Sequence, residues 1–212
     1  MSGKTTVSPG TSNFPEPPPA RRLVLASTSR YRRELLARLG LPFAVVMPEA
    51  DETPLPGEVP AATALRLAEQ KARSIRGAWP DALIIGSDQV ADVDGEAVSK
   101  PGNHANARAQ LTRLSGKTIV FHTGIALLDA KSGMCTSALV DVVSRFRSFS
   151  AGEIESYLER EQPYDCAGAV KSESLGIALF EAIESDDPTA LVGLPLIRLT
   201  AMLRAAGVRV LG

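Results

Sequence analysis

The chain has 212 residues, 44% of them hydrophobic, with a formal net charge of −1, which is ample material for one sizeable core and gives no global field to hold a polyanion. Two cysteines (Cys135, Cys166) within apolar sequence suggest neither a disulfide framework nor a Cys-rich zinc site, and two histidines (His104, His122) do not make a metal site either. No stretch reaches the roughly 18 uninterrupted apolar residues of a membrane span, so neither membrane nor nucleic acid is an expected partner and a reducing cytoplasm is the expected setting.

Residues 1–20, rich in Ser, Thr, Gly and Pro, are expected to be a disordered leader before one α/β domain of two lobes, residues 21–212. Leu23-Val24-Leu25-Ala26 predicts a strand, and the hydroxyls of Ser27-Thr28-Ser29 predict the cap of a helix running to about Leu39, stopped by Gly40. Arg32 falls in the first turn of that helix, at the end of the stripe set by Leu35, Leu36 and Leu39. The macrodipole disfavours a cation there by a few tenths to about 1 kcal/mol, so Arg32 is either a solvated neighbour of Arg33 and Glu34 or part of an anion site. Without a Gly-rich Walker pattern, that site is not a P-loop.

A second strand is expected over 41–46, then an acidic loop holding Asp51 and Glu52, then a helix from about Ala61 to Ile75 with Ala64, Leu65, Ala68, Ala72 and Ile75 at helical spacing. Lys71 borders that buried face, so its stem either lies along it with the ammonium in water or carries the charge inward. Leu83-Ile84-Ile85-Gly86 is the most apolar run and predicts an inner strand closed by Gly86, with Asp88 at the strand's carboxyl end, where open α/β sheets bind ligands. Asp94-Gly95 predicts a two-residue hairpin turn that would set Gln89 opposite Lys100, about 5 Å away.

A helix is then expected from Asn103 to Leu114, followed by long strands over 118–129 and 136–149 joined at Lys131-Ser132-Gly133. Ser150-Ala151-Gly152-Glu153 is a capping box that opens a helix to about Arg160. Residues 166–176 are expected to form a loop approaching the cleft, and 194–205 a final amphipathic helix.

Six pieces in this order resemble the Maf family of nucleoside triphosphate pyrophosphatases: Leu25-Ala26-Ser27-Thr28-Ser29 with Arg32-Arg33-Glu34-Leu35-Leu36, Asp51-Glu52-Thr53, Ala68-Glu69-Gln70-Lys71-Ala72, Gly86-Ser87-Asp88-Gln89-Val90, Lys100-Pro101, and Val192-Gly193-Leu194-Pro195-Leu196. The resemblance implies a Maf/ITPase-like α/β fold, a mixed twisted sheet with flanking helices and a central substrate cleft. It implies Asp88 as the catalytic acidic residue, and Ser27, Arg32, Glu52, Lys71 and Lys100 around a nucleoside triphosphate and its divalent cation, Mg²⁺ or Mn²⁺. Asp88 would be a ligand of that metal, and Glu52 either a second ligand or the group that orders the attacking water. Related proteins are often dimers, which makes a homodimer one state open to this chain, although the sequence does not reveal the oligomeric state.

Three positions separate the family's subgroups and correspond here to Tyr31, Gln89 and Glu173, a set similar to the subgroup that hydrolyses 7-methyl-GTP. The alternatives are the same chemistry on dTTP, UTP or another modified nucleotide, and a non-catalytic nucleotide-sensing regulator of cell division. A Tyr31 ring would attract the positively charged N7-methylguanine by about 0.5–2 kcal/mol, and a Glu173 carboxylate could accept from guanine N1 and N2. The chain departs from the family at Arg30 (usually Pro), Tyr31 (Trp in this subgroup), Ser99 (Gly) and Ser174-Leu175 (Gly-Phe).

Overall fold

The computed structural model describes residues 21–211, so the expected leader lies outside the described residues. The elements run β1 (Leu23–Ala26), α1 (Arg30–Ala37), β2 (Phe43–Val46), α2 (Pro60–Ser74), β3 (Leu83–Val93), β4 (Glu96–Val98), α3 (His104–Leu114), β5 (Thr118–Asp129), β6 (Cys135–Phe146), α4 (Ala151–Glu161), β7 (Phe180–Glu184) and α5 (Leu196–Ala205). Short 3₁₀ turns lie at Ala167–Ala169, Leu175–Leu179 and Pro188–Val192. The seven strands form one mixed sheet ordered β2-β1-β3-β5-β6-β7, with β4 paired to β3 outside that path. β1 runs parallel to β2 and β3, and every other pairing is antiparallel.

Strand alternation sorts the apolar residues into two layers. Leu23, Leu25, Leu83, Ile85, Ile125 and Leu127 face α1 and α5, while Val24, Ala26, Ile84, Ala126 and Leu128 face α2. Toward the far end of β3, Ala91, Val93, Phe121 and Val142 pack with α3 and α4 through Leu111, Leu114, Ile154 and Leu158. Leu35 and Leu36 fix the eight-residue α1 in place, each fully buried side chain contributing about 1.5–3 kcal/mol. The capping box at Ser150 and Glu153 forms as expected.

β3 corrects the expectation for the central strand. It does not close at Gly86 but continues to Val93, held along its length by β5, so Asp88 lies in mid-strand. On the other edge, β1 accompanies β3 only as far as the pair Ala26↔Gly86, and β4 joins only at Ala91↔Val98. Residues 87–90 therefore have no strand neighbour on that edge, and the cleft opens there. The turn at Asp94-Gly95 forms with the expected register, but the ladder ends at Val98, so Lys100 faces the cleft from an irregular segment instead of pairing with Gln89.

Gly86 has a different role from a strand stop. A Cβ there would run into the Ala68 carbonyl and come within 2.8 Å of Ala72 N, and one on Gly124 would meet the Ala64 carbonyl group. Two missing side chains thus let α2 settle close against β3 and β5. β7 and the 3₁₀ turns are additions to the expected elements, and the strand expected over 136–149 ends at Phe146. Among the described residues, no helix is long and apolar enough to cross a membrane.

Candidate active site

The alternation of β3 divides the site into two faces. Asp88 shares the α2 face with Gly86, whereas Ser87 and Gln89 point to the opposite face, toward the turn at Pro188–Val192. On the α2 side, the close seat of the helix brings Lys71 over the strand. Its Nζ lies 2.7 Å from Asp88 Oδ1 and 2.5 Å from Glu52 Oε1. The Lys71 side chain is only 6% exposed, so its charge is carried inward and not held out to water along the stem.

Glu52 arrives on a loop that α2 holds at a second point. Arg66 Nε and Nη2 each donate to the Glu58 carboxylate at 2.6 Å, and Nη2 also donates to the Thr53 carbonyl at 3.2 Å. Leu55 N and the Thr63 hydroxyl donate to Glu58 Oε2 as well. The Arg66 hydrogen bonds, followed by the Leu55 amide, hold the Glu58 carboxyl at about 2, against the upward pull of burial. At Glu52, burial alone would push the carboxyl up, but the Lys71 hydrogen bond and the charges of Lys71, Lys100 and Arg32 hold it below its ordinary value. Glu52 is therefore ionised at neutral pH.

Ser27 and Ser29 close the strand-to-helix turn. Ser29 N donates to Ser27 Oγ at 3.1 Å, and Ser29 Oγ caps Arg32 N at 3.4 Å. Arg32 reaches across the sheet end, where its Nε donates to the Gly193 carbonyl at 2.8 Å, and Ser87 Oγ lies 2.9 Å from the same oxygen. Gly193 adopts φ +107°, a conformation costly for other residues, and its Cα side lies against the Arg32 guanidinium. Burial pulls the Arg32 guanidinium below its ordinary value, opposed by the charges of Asp88 and Glu52, yet an arginine stays cationic under these conditions. Among the described residues, neither Arg32 nor Lys100 forms a salt bridge.

These groups converge. Ser27, Arg32, Glu52, Lys71, Asp88 and Lys100 all line one open cleft of about 730 Å³, and Tyr31 and Gln89 line it too. A recess of about 110 Å³ shares Tyr31, Arg32, Gln89 and Lys100 with the cleft and adds Glu173. The segment over 166–176 reaches the site as expected, with Ala167 on the cleft and Cys166 in the recess.

In the recess, the Gln89 Nε2 donors are directed to the carbonyls of Ala190 and Leu191 and to Thr123 Oγ1 at 2.9–3.0 Å. Those acceptors fix which end of the amide is nitrogen, leaving Oε1 as the end with no hydrogen bond among the described residues. Asp187 holds the turn that supplies these carbonyls to the start of α5, through Ile197 N at 2.7 Å and Arg198 N at 3.1 Å. Tyr31 is half-buried, and burial pushes its hydroxyl up to about 12 although Arg30 donates to it. The Arg30 guanidinium also lies 4.6 Å from the Tyr31 ring centroid, so one cation already occupies a ring face expected to attract the base.

The supporting residues Thr123, Asp187, Gly193 and the Glu58–Arg66 pair were not singled out for these contacts from sequence. Asp187-Pro188 and the Val192-Gly193 motif carried a turn signal, while Thr123 sits in an ordinary strand pattern. Among the described residues, no group of three or more His, Cys, Asp and Glu gathers to hold a metal. His104 instead contacts Tyr164 and Glu155, and His122 lies between Asp92 and Asp141.

The family model for Maf-like protein matches residues 22–206. A relative from Polaromonas sp. is 58% identical over 191 residues, covering 90% of this chain and 87% of the relative, and is named 7-methyl-GTP pyrophosphatase. Proteins of the same name from Ralstonia nicotianae and Thiobacillus denitrificans are 58% and 57% identical, covering 86% and 89% of this chain and 94% of each relative.

Proposed function

The chain belongs to the Maf-like protein family, and on that premise we propose that it is a nucleoside triphosphate pyrophosphatase acting on 7-methyl-GTP. It hydrolyses the α–β phosphoanhydride, releasing 7-methyl-GMP and pyrophosphate. The observation that supports this best is a pair of cations, Arg32 and Lys100, that have no salt-bridge partner among the described residues and lie in the same cleft as Asp88. An anionic tail with several oxygens is the ligand such a cleft is built to bind.

In this reading Arg32, Lys71 and Lys100 take the phosphate oxygens, and the fixed Nε bond of Arg32 to Gly193 aims its remaining donors at them. Their charge offsets what accumulates on the leaving pyrophosphate, the dominant need in such reactions. Asp88 accepts the proton of the water that attacks the α-phosphorus, and Ser27 orders the near end of the tail. A divalent cation fits the donor set, because Glu52 and Asp88 present carboxylate oxygens to one point where the Lys71 ammonium now serves as the cation. Glu52 and Asp88 would hold Mg²⁺ or Mn²⁺, which supplies charge neutralisation and a more acidic water.

Base selection belongs to the recess. Glu173 and Gln89 Oε1 accept from the N1 and N2 donors of guanine, and Tyr31 offers its ring to the methylated base, either on the face opposite Arg30 or after Arg30 moves. The same reading takes residues 21–212 as one domain of two lobes around the cleft, acting as a cytoplasmic homodimer with no nucleic-acid partner. The test is hydrolysis of a panel of methylated and unmodified nucleoside triphosphates with the phosphate products resolved. Pyrophosphate and 7-methyl-GMP are the expected products. Release of orthophosphate, or a preference for dTTP or UTP, would overturn the assignment.

A further inference from the structure

Glu173 is the exposed apex of a turn that is fastened at both ends, and both fasteners come from the last turns of α4. At the entrance, Lys171 N donates to the hydroxyl of buried Tyr157 at 3.1 Å, and Lys171 Nζ donates to the Glu161 carbonyl at 2.5 Å. At the exit, the Glu161 carboxylate accepts from Ser174 Oγ at 2.7 Å and from Leu175 N at 3.3 Å. The turn closes on itself through Ser174 N to Lys171 O at 3.3 Å. Gly176 packs so tightly on it that a Cβ would collide with the Lys171 backbone. Among the described residues, the Glu173 carboxylate accepts one hydrogen bond, a marginal one from Ser172 Oγ at 3.5 Å, so its place in the recess depends on how the turn is held.

Resting on the function proposed above, we propose that Glu161 is a positioning residue for base selection, acting through Glu173. Ser174 and Leu175 stand where this chain departs from the expected Gly-Phe pattern. The serine hydroxyl adds a tie that glycine could not make, so the departure tightens the turn. A carboxylate acceptor confined by a fastened turn loses less freedom when a guanine edge binds, and that advantage appears in KM and not in the chemical step. Glu161 lines neither the cleft nor the recess, so the phosphate chemistry is expected to be left alone.

The test compares wild type, Glu161→Ala, Glu161→Gln and Ser174→Ala for steady-state turnover of 7-methyl-GTP and UTP, with thermal melts to verify folding. For Glu161→Ala, KM for 7-methyl-GTP is expected to rise about tenfold with kcat within about twofold, and kcat/KM for UTP to stay unchanged. Glu161→Gln keeps an acceptor for Ser174 or Leu175 and should recover most of the loss, while Ser174→Ala should show a smaller rise of the same kind. Calorimetric binding of 7-methyl-GMP should weaken in parallel, independently of turnover. An unchanged KM in Glu161→Ala, or a glutamine variant as impaired as the alanine one, overturns the positioning role while leaving the parent function standing. A wild type that does not turn over 7-methyl-GTP overturns both.

Discussion

Lys71→Met tests the arrangement at its centre, because the methionine keeps the stem and removes the ammonium that joins Asp88 to Glu52. Asp88 is 11% exposed and Lys71 6%, so their bond is an interior one, whereas Glu52 at 59% exposure is largely solvated. Removing one partner of a buried pair costs about 3–5 kcal/mol, and a partly exposed partner adds at most about 1 kcal/mol. The nearby charge of Arg32 offsets part of the loss at Asp88, so a net destabilisation of about 3 kcal/mol is expected. At about 2–4 °C per kcal/mol for a domain of this size, the melting temperature should fall by about 6–12 °C. The two carboxylates left facing each other then form a better cation site than in the wild type. Mn²⁺ at a hundredfold excess over its Kd should restore about 2.7 kcal/mol to the variant, with a smaller response in the wild type. Calorimetric melts with and without Mn²⁺, in the absence of nucleotide, measure both effects. A variant that melts with the wild type, or a metal response equal in the two proteins, would refute the reasoning.

Asp88→Asn should preserve the melting temperature far better than Lys71→Met, since Lys71 keeps Glu52, but should lower kcat by at least about a hundredfold in a metal-supplemented assay. The double variant Tyr31→Arg with Glu173→Gln places a cation against the methylated base and removes an acceptor charge. The ratio of kcat/KM for 7-methyl-GTP over UTP should therefore fall, and an unchanged ratio would count against the recess as the base site. The Glu58–Arg66 clamp sets an acid limit. Because Glu58 is held at about 2, below its ordinary 4.5, its contribution to stability is complete above about pH 4.5 and is lost as the pH falls toward 2. Arg66→Met should flatten that part of the stability profile, read from acid unfolding followed by circular dichroism.

Much of this molecule was legible in one dimension. The apolar runs of β1 and β5, the α2 stripe, the Ser29 and Ser150 caps and the Asp94-Gly95 turn are local signals, and each formed close to where its residues indicated. The motif residues, from Ser27 to Glu173, also line one cleft and its recess. Tertiary structure alone decided what those residues touch. Gly86 reads as a strand stop until α2 is seen lying against it, and Lys71 reads equally as a snorkelling lysine or an inward charge until that close seat carries its charge to Asp88. Asp88 is a mid-strand residue because β5 supplies the hydrogen bonds that extend β3 past the end of β1. Gln89 is oriented by carbonyls a hundred residues away, at Ala190 and Leu191, and Arg32 by one at Gly193. Periodicity records which way a side chain faces, since burial is a property of each residue. Which backbone oxygen meets it is set by the packing of elements distant in the chain, and no local pattern carries that information.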